Sequence, residues 1–275
     1  MSAIIKPPRT IRSPDPYITP VHGTYGPCAL CRHYSKLTQN HVPPESTGNT
    51  DRWLAQSYLT TVTANSDLIF GRRFNGGIRF RTLCAECNNK LGGREDKALL
   101  AFYEQVTKLV ESPFQLPPLM RIAAKPNLII RGLLAHIVSA NDTGVPSMFD
   151  EEARSIFFGK KALRLSSWNV FYWIYMAKEL FLARSLFLAT WFPTLVMHEM
   201  QILKIYPLAF VFTDAPHFYG LPNMMQFIRP RDEEEAELPL FLYRRENNPV
   251  FPAYAASDKV VFAGGNAFGL VARQD

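Results

Sequence analysis

Cysteine is scarce in this chain of 275 residues: there are four, all in two Cys-x-x-Cys pairs, Cys28/Cys31 and Cys84/Cys87. With none elsewhere, a disulfide framework is not expected, and metal binding in a reducing compartment fits the pattern better. A secretory signal is also lacking, because residues 1–12 hold Lys6, Arg9, Arg12 and two prolines without an apolar core of useful length. Nor is there an uninterrupted apolar run. The most apolar segment, 168–192, is broken by Lys178, Glu179 and Arg184, charges that a membrane span would have to bury. No internal repeat is evident. A soluble cytoplasmic protein with no membrane partner is the expectation.

What is present describes a folded globular protein, with 47% hydrophobic and 20% charged residues. The net charge of +6 is unevenly placed: residues 1–97 carry 13 Lys and Arg against 7 Asp and Glu, whereas residues 98–275 carry 17 against 17. The whole excess lies on the segment with the cysteines. Two readings stand. A phosphate backbone is the natural partner of such a segment, yet four thiolates around Zn²⁺ are net −2, and Arg32, Arg79, Arg81 and Lys90 can also serve to balance them.

Residues 1–27 are proline-rich and lack periodicity, as an extended basic arm or an untidy terminus would. Residues 34–38 lead into a short strand ending at His41, and Pro43-Pro44 stops regular structure there. From 45 to 74 a long loop with little regular structure is expected. Asn75-Gly76-Gly77 signals a turn, and 78–83 alternates as a half-buried strand does. A short helix over 85–91 follows, ended by Gly92-Gly93. Helical spacing marks 97–111 and 127–140, with a helical turn near 150–158. Strands joined as a meander are favoured for 168–176 and 181–191, against one helix over 178–191. A strand-like run covers 201–213, and late strands fall near 241–243 and 260–263. The fold class is α+β: residues 1–97 form one module, and residues 98–275 form a helical then β-rich domain.

Two Cys-x-x-Cys knuckles supply the four sulfurs of a closed tetrahedral site, so Cys28, Cys31, Cys84 and Cys87 are predicted to hold a structural zinc. That leaves His41 free for chemistry. The 52 residues between Cys31 and Cys84 are long for a simple ribbon, but suit an intervening loop that carries a site.

Cys28-Ala29-Leu30-Cys31, then Asn40-His41-Val42-Pro43-Pro44, then Leu83-Cys84-Ala85-Glu86-Cys87-Asn88 together resemble the zinc-stapled form of the HNH, or ββα-metal, endonuclease superfamily. The resemblance covers about residues 25–95 and implies a treble-clef-like fold. It also implies metal-dependent hydrolysis of phosphodiester bonds in DNA, with RNA the less expected substrate. His41 inherits the general base that activates water, a job that suits an imidazole. Asn40 and Asn88 inherit the ligands of one catalytic divalent ion, Mg²⁺ or Mn²⁺. The amide that orients the histidine is assigned to Asn75, with Asn65 and Asn49 competing.

The first metal position in that family is often Asp, and Asn40 removes its charge; Glu45 or Asp96 could supply the missing carboxylate. Arg72, Arg73, Arg79, Arg81 and Lys90 are the candidates for nucleic-acid contacts. His22 and His33 flank the first knuckle, while His136 and His198 sit in apolar runs and read as core or boundary residues. The aromatic cluster from Trp168 to Tyr175 could stack bases, although core packing is the default for such density. For residues 98–275 the roles left open are substrate positioning, recognition of a trigger, and homo-oligomer formation. The rival from another class is a non-catalytic zinc-finger protein that binds nucleic acid or serves as an adaptor.

Overall fold

The computed structural model describes residues 23–58, 72–141, 146–191, 195–243, 245–247, 251–252, 260–262 and 267–275. Residues 1–22 of the basic arm and Asn65 lie outside the described residues, while the end of the arm, Tyr25–Pro27, forms a strand. The described residues form a mixed α+β architecture with four helices, one large sheet that is antiparallel but for one edge pairing, and two small sheets.

The small N-terminal sheet has the order β1-β2-β5, from β1 (Tyr25–Pro27), β2 (Tyr34–His41) and β5 (Arg79–Cys84). As expected, β2 ends on His41 and β5 delivers Cys84. Helix α1 (Ala85–Gly93) starts at once: Cys84 is its N-cap, and its sulfur accepts the Cys87 N–H at 3.5 Å. The two glycines remain inside this helix. A single residue, Arg94, joins α1 to α2 (Glu95–Val110), which buries Leu99, Phe102, Tyr103 and Val106 at helical spacing.

Residues 45–58 and 72–74 are more ordered than their composition suggests. They contain β3 (Trp53–Ser57) and β4 (Arg72–Phe74), which pair with each other. β3 also pairs with the last strand, β14 (Phe268–Gln274), placing Trp53 opposite Gln274. A division of the chain at residue 97 therefore cuts across the large sheet. Its other members include β7 (Asn169–Tyr175), β8 (Leu180–Trp191), β9 (Leu195–Ile205) and β10 (Leu208–Thr213), all antiparallel where they meet. The segment 201–213 is thus two strands, not one, separated at Tyr206-Pro207 where proline cannot donate to a ladder.

Helices α3 (Pro126–Ser139) and α4 (Met148–Phe157) cover one face of this sheet with α2. Along β7, Val170, Tyr172 and Ile174 enter that core, while Phe171, Trp173 and Tyr175 enter a second one with Phe181, Met200 and Ile202. Burial on both faces explains why Asn169-Val-Phe-Tyr-Trp-Ile-Tyr175 reads as a continuous apolar run. The aromatic cluster is core. No helix among the described residues is long and apolar enough to cross a membrane.

Candidate metal centre and the His41 site

The first knuckle is built by backbone bonds. Cys28 N–H donates to His33 O (2.9 Å), closing the turn, and Ala29 N–H donates to Thr82 O (2.8 Å), registering it on β5. From α4, the buried Arg154 donates Nε–H to Ala29 O at 2.7 Å. The second knuckle straddles the β5–α1 junction, where Cys84 N–H points at Cys28 Sγ (3.3 Å).

These constraints bring all four sulfurs within 4.8 Å of one another, and the cysteines are free. Around an ion with metal–sulfur bonds of about 2.3 Å, a regular tetrahedron has edges of about 3.8 Å. Cys31 Sγ and Cys84 Sγ are 3.8 Å apart. A disulfide would need about 2.05 Å. The donor set fits a metal ion, and among the described residues it is the one group of three or more His, Cys, Asp or Glu side chains close enough to hold one.

The electrostatics point the same way. The hydrogen bond from Cys87, helped by backbone N–H groups, holds the Cys28 thiol down at about 4. Burial pushes Cys31 up to about 11. Cys87 is raised too, by its hydrogen bond to the Cys28 sulfur and then by burial. One thiolate is stable in this cluster without a cation; four are not.

His41 stands at the opposite end of β2, with its side chain 21% exposed. Its Nε2 lies 3.0 Å from Gly76 O. A carbonyl oxygen can only accept, so Nε2 carries the hydrogen, and in the neutral ring Nδ1 holds the lone pair. Glu45 Oε2 is 3.8 Å from Nδ1. The Gly76-Gly77 turn is required for this approach. Both glycines have positive φ, and a Cβ on Gly77 would lie 2.7 Å from His41 Cδ2 and would collide with Asn49 O.

Asn40 does not join this site. Neighbouring residues of a strand face opposite ways, and Asn40 faces inward, 4% exposed, donating Nδ2–H to Ser139 Oγ (2.8 Å) and accepting from Thr82 Oγ1 (3.3 Å). Its amide ties β2 to α3, so the fold does not bring Asn40 and His41 together as the resemblance implied. Asn88 remains available. Its Nδ2 donates to Gln39 O (2.9 Å) and Thr38 Oγ1 (3.3 Å), fastening α1 to β2 and leaving Oδ1 without a partner among the described residues.

Of the amides that competed for a place beside His41, Asn49 is buried next to the chain that follows it, whereas Asn75 is not. Asn75 is exposed, and its backbone carbonyl accepts from Arg79 at 2.8 Å. Asn49 is fully buried: Nδ2 donates to Pro43 O (2.8 Å) and Ile78 O (3.0 Å), while Oδ1 accepts from Ile78 N–H (2.8 Å). It thereby fixes the chain just after His41 against the strand that follows the Gly76-Gly77 turn.

Glu45 and Asp96 line one open cleft of about 420 Å³ with Gly92, one helical turn beyond Asn88. Asp96 is engaged from below, its Oδ1 lying 2.7 Å from Nε2 of the buried His136. Glu45 is the freer carboxylate. Of the basic candidates, Arg79 is the cross-strand neighbour of His41, and its NH1 donates to Gln39 Oε1 at 3.0 Å. Arg73 is paired with Asp275 (2.7 Å), Arg72 lies over the Phe74 ring, and Lys90 lies over Phe157 and Phe158. Arg81 pairs with Gln39 across the strands. Ser139, Thr82 and Arg154 escape sequence reasoning, because nothing local marks a partner so distant along the chain.

The chain matches no protein-family model, no curated protein and no solved structure.

Proposed function

We propose that residues 25–95 form a metal-dependent endonuclease centre in which His41 activates water against a phosphodiester of DNA, with zinc held by Cys28, Cys31, Cys84 and Cys87 as a structural staple. The observation that carries the reading is the orientation of His41: with Nε2–H committed to Gly76 O, Nδ1 is the basic nitrogen and lies on the Glu45 side. A general base needs that fixed tautomer and an exposed lone pair. Asn88 Oδ1 and the Glu45 carboxylate are the protein groups available to hold Mg²⁺ or Mn²⁺, phosphate oxygens supplying the rest. Such an ion would offset charge developing on the scissile phosphate. Arg79, beside His41, is the cation best placed to meet a phosphate. DNA is chosen over RNA from the family resemblance.

A second reading has its own support. Asn40 is spent inside the protein, and no cluster of acidic and histidine ligands accompanies His41 among the described residues. A zinc module that binds nucleic acid without cutting it would look like this. Nicking of supercoiled plasmid with Mg²⁺ or Mn²⁺ decides between them. Cleavage is expected in the wild type, lost with EDTA and lost in His41→Ala at unchanged zinc content. Wild-type cleavage by His41→Ala would sink the mechanism; no cleavage by any form, with DNA still bound, would leave the second reading.

A further inference from the structure

The hairpin of β1 and β2 turns two aromatic rings away from the core. Its register sets Tyr25 opposite Lys36 and Pro27 opposite Tyr34, so these four side chains share one face of the sheet. The inner face takes Leu37, which lies opposite Cys84 of β5, and both are buried. The outer face is open: Tyr34 is 74% exposed and Tyr25 is 53% exposed. Apolar residues scattered singly over a surface are ordinary, but these two rings occupy one diagonal of one strand pair. Diagonal neighbours lie on the order of 7–8 Å apart. That is about twice the 3.5–4 Å at which carbon atoms touch, which leaves room for a planar group against either ring or between them. Among the described residues neither ring meets another aromatic ring.

The charge around the rings narrows the class. Residues 23–44 hold no Asp or Glu. Arg32 and His33 are exposed at the tip of the hairpin, next to Tyr34, and Lys36 is exposed across from Tyr25. None of the three makes an ion pair among the described residues. Cys84 shares the inner face with Leu37, so it stands on the other side of the sheet from Lys36. On α4, the carboxylate of Glu151 is taken by Arg154 at 2.9 Å. Aromatic faces set among unpaired cations fit an unpaired nucleotide, with its base against a ring and its phosphate against a cation. A duplex keeps its base faces stacked on one another and has none to offer the rings.

We propose that the outer face of the β1–β2 hairpin binds single-stranded nucleic acid, with Tyr25 and Tyr34 stacking on bases and Arg32 and Lys36 meeting phosphates. The rings and their charge carry this by themselves; that the bound strand is a substrate rests on the nuclease reading. The face that bears Tyr34 and Lys36 continues to Thr38, whose hydroxyl receives Asn88 Nδ2–H at 3.3 Å. A strand laid on the rings and followed along β2 therefore leads toward Asn88, one of the residues proposed to act on it.

The test is fluorescence anisotropy of the full-length, zinc-loaded protein without added Mg²⁺ or Mn²⁺. The probe is a short labelled oligodeoxynucleotide of mixed sequence, used alone and annealed to its complement. Tyr34→Ala and Tyr25→Ala should each weaken single-strand binding by roughly five- to a hundredfold, the value of one stacked base, and leave duplex binding unchanged. Tyr34→Phe should bind the strand as the wild type does, since stacking needs the ring and not the hydroxyl. Lys36→Gln should lessen the salt dependence of single-strand binding by about one phosphate contact. Zinc content and melting temperature should hold in all four variants, because the replaced side chains are exposed. The inference is overturned if both alanine variants bind the strand as the wild type does, if they weaken duplex and strand alike, or if Tyr34→Phe is as weak as Tyr34→Ala. If the wild type binds neither probe it is overturned as well, and the face is left to a protein partner. Tyrosine-dependent strand binding without plasmid nicking would retire the nuclease reading alone; nicking with strand binding that ignores the tyrosines would retire this one alone.

Discussion

Asn49 offers the sharpest test of how His41 is held. Its buried side chain makes three hydrogen bonds to Pro43 O, Ile78 O and Ile78 N–H. Replacing it with Ala does not orphan all three groups, because Val42 N–H also donates to Ile78 O at 3.1 Å. Pro43 O and Ile78 N–H are left without partners. At about 1–3 kcal/mol for each buried unsatisfied group, Asn49→Ala should cost about 2–6 kcal/mol. Asn49→Asp probes direction as well as number. The Ile78 N–H bond survives, but an oxygen now faces two carbonyl oxygens in a fully buried place, so Asp should be no better than Ala. Urea unfolding at saturating zinc measures both, with exposed Asn75→Ala as the control expected within about 0.5 kcal/mol of wild type. Because Asn49 fixes the residues directly after His41, cleavage should fall in both variants even below their unfolding midpoints. Values for Asn49→Ala and Asn49→Asp as small as the control's would refute the assignment.

Metal analysis should find one ion per chain, lost on Cys84→Ser. Cys31 and Cys87 are raised and so protonated at neutral pH in the metal-free protein; binding must release at least those two protons. Affinity should therefore fall by about a hundredfold per unit as pH drops below neutrality, which competition with a chelator at several pH values can read. A pH-independent affinity would contradict the sulfur site. Away from the module, Asp150 is fully buried, accepts Arg184 NH2 at 2.6 Å and closes the N-terminal capping box of α4 with Ser147. Asp150→Ala strands the buried guanidinium and should lower stability by about 3–5 kcal/mol in the same urea assay; a loss under 1 kcal/mol would mean the pair is solvated.

How much of this was legible depends on where the informative partner lies in the chain. Cys28/Cys31 and Cys84/Cys87 could be read because each knuckle is local and the ion's geometry does the rest. Strand β2, strand β5 and helix α1 were equally local. β3 and β4 were not, since the strand that gives β3 its place, β14, begins at Phe268. The same holds for Asn40: nothing near it in sequence says that its amide meets Ser139, 99 residues away, and that its contact, not the family pattern, decides which way it faces. The division at Pro207 was available, because a proline inside a strand-like run argues against a single central strand. Asn49 and Asn75 could not be separated by spacing. Only the burial of one and the exposure of the other separates them.

The geometry of β2 divides the duties of the module. Leu37 sits opposite Cys84 at the metal end, and His41 sits opposite Arg79 at the other. Four residues of strand at about 3.3 Å each put roughly 13 Å between those positions. An ion held by the four sulfurs cannot reach a phosphate bound at His41, and its sulfur ligands leave no open position for water. Its effect on that end must pass through the backbone: the knuckle registers on β5 through Thr82 O, and β5 begins beside the Gly76-Gly77 turn whose carbonyl sets the tautomer of His41. A metal ion held by those sulfurs would thus act on the shape of the region around His41 and not on a group bound there. On the nuclease reading proposed above, a divalent ion acting on the phosphate would be a second one, and Glu45 and Asn88 are the side chains proposed to hold it.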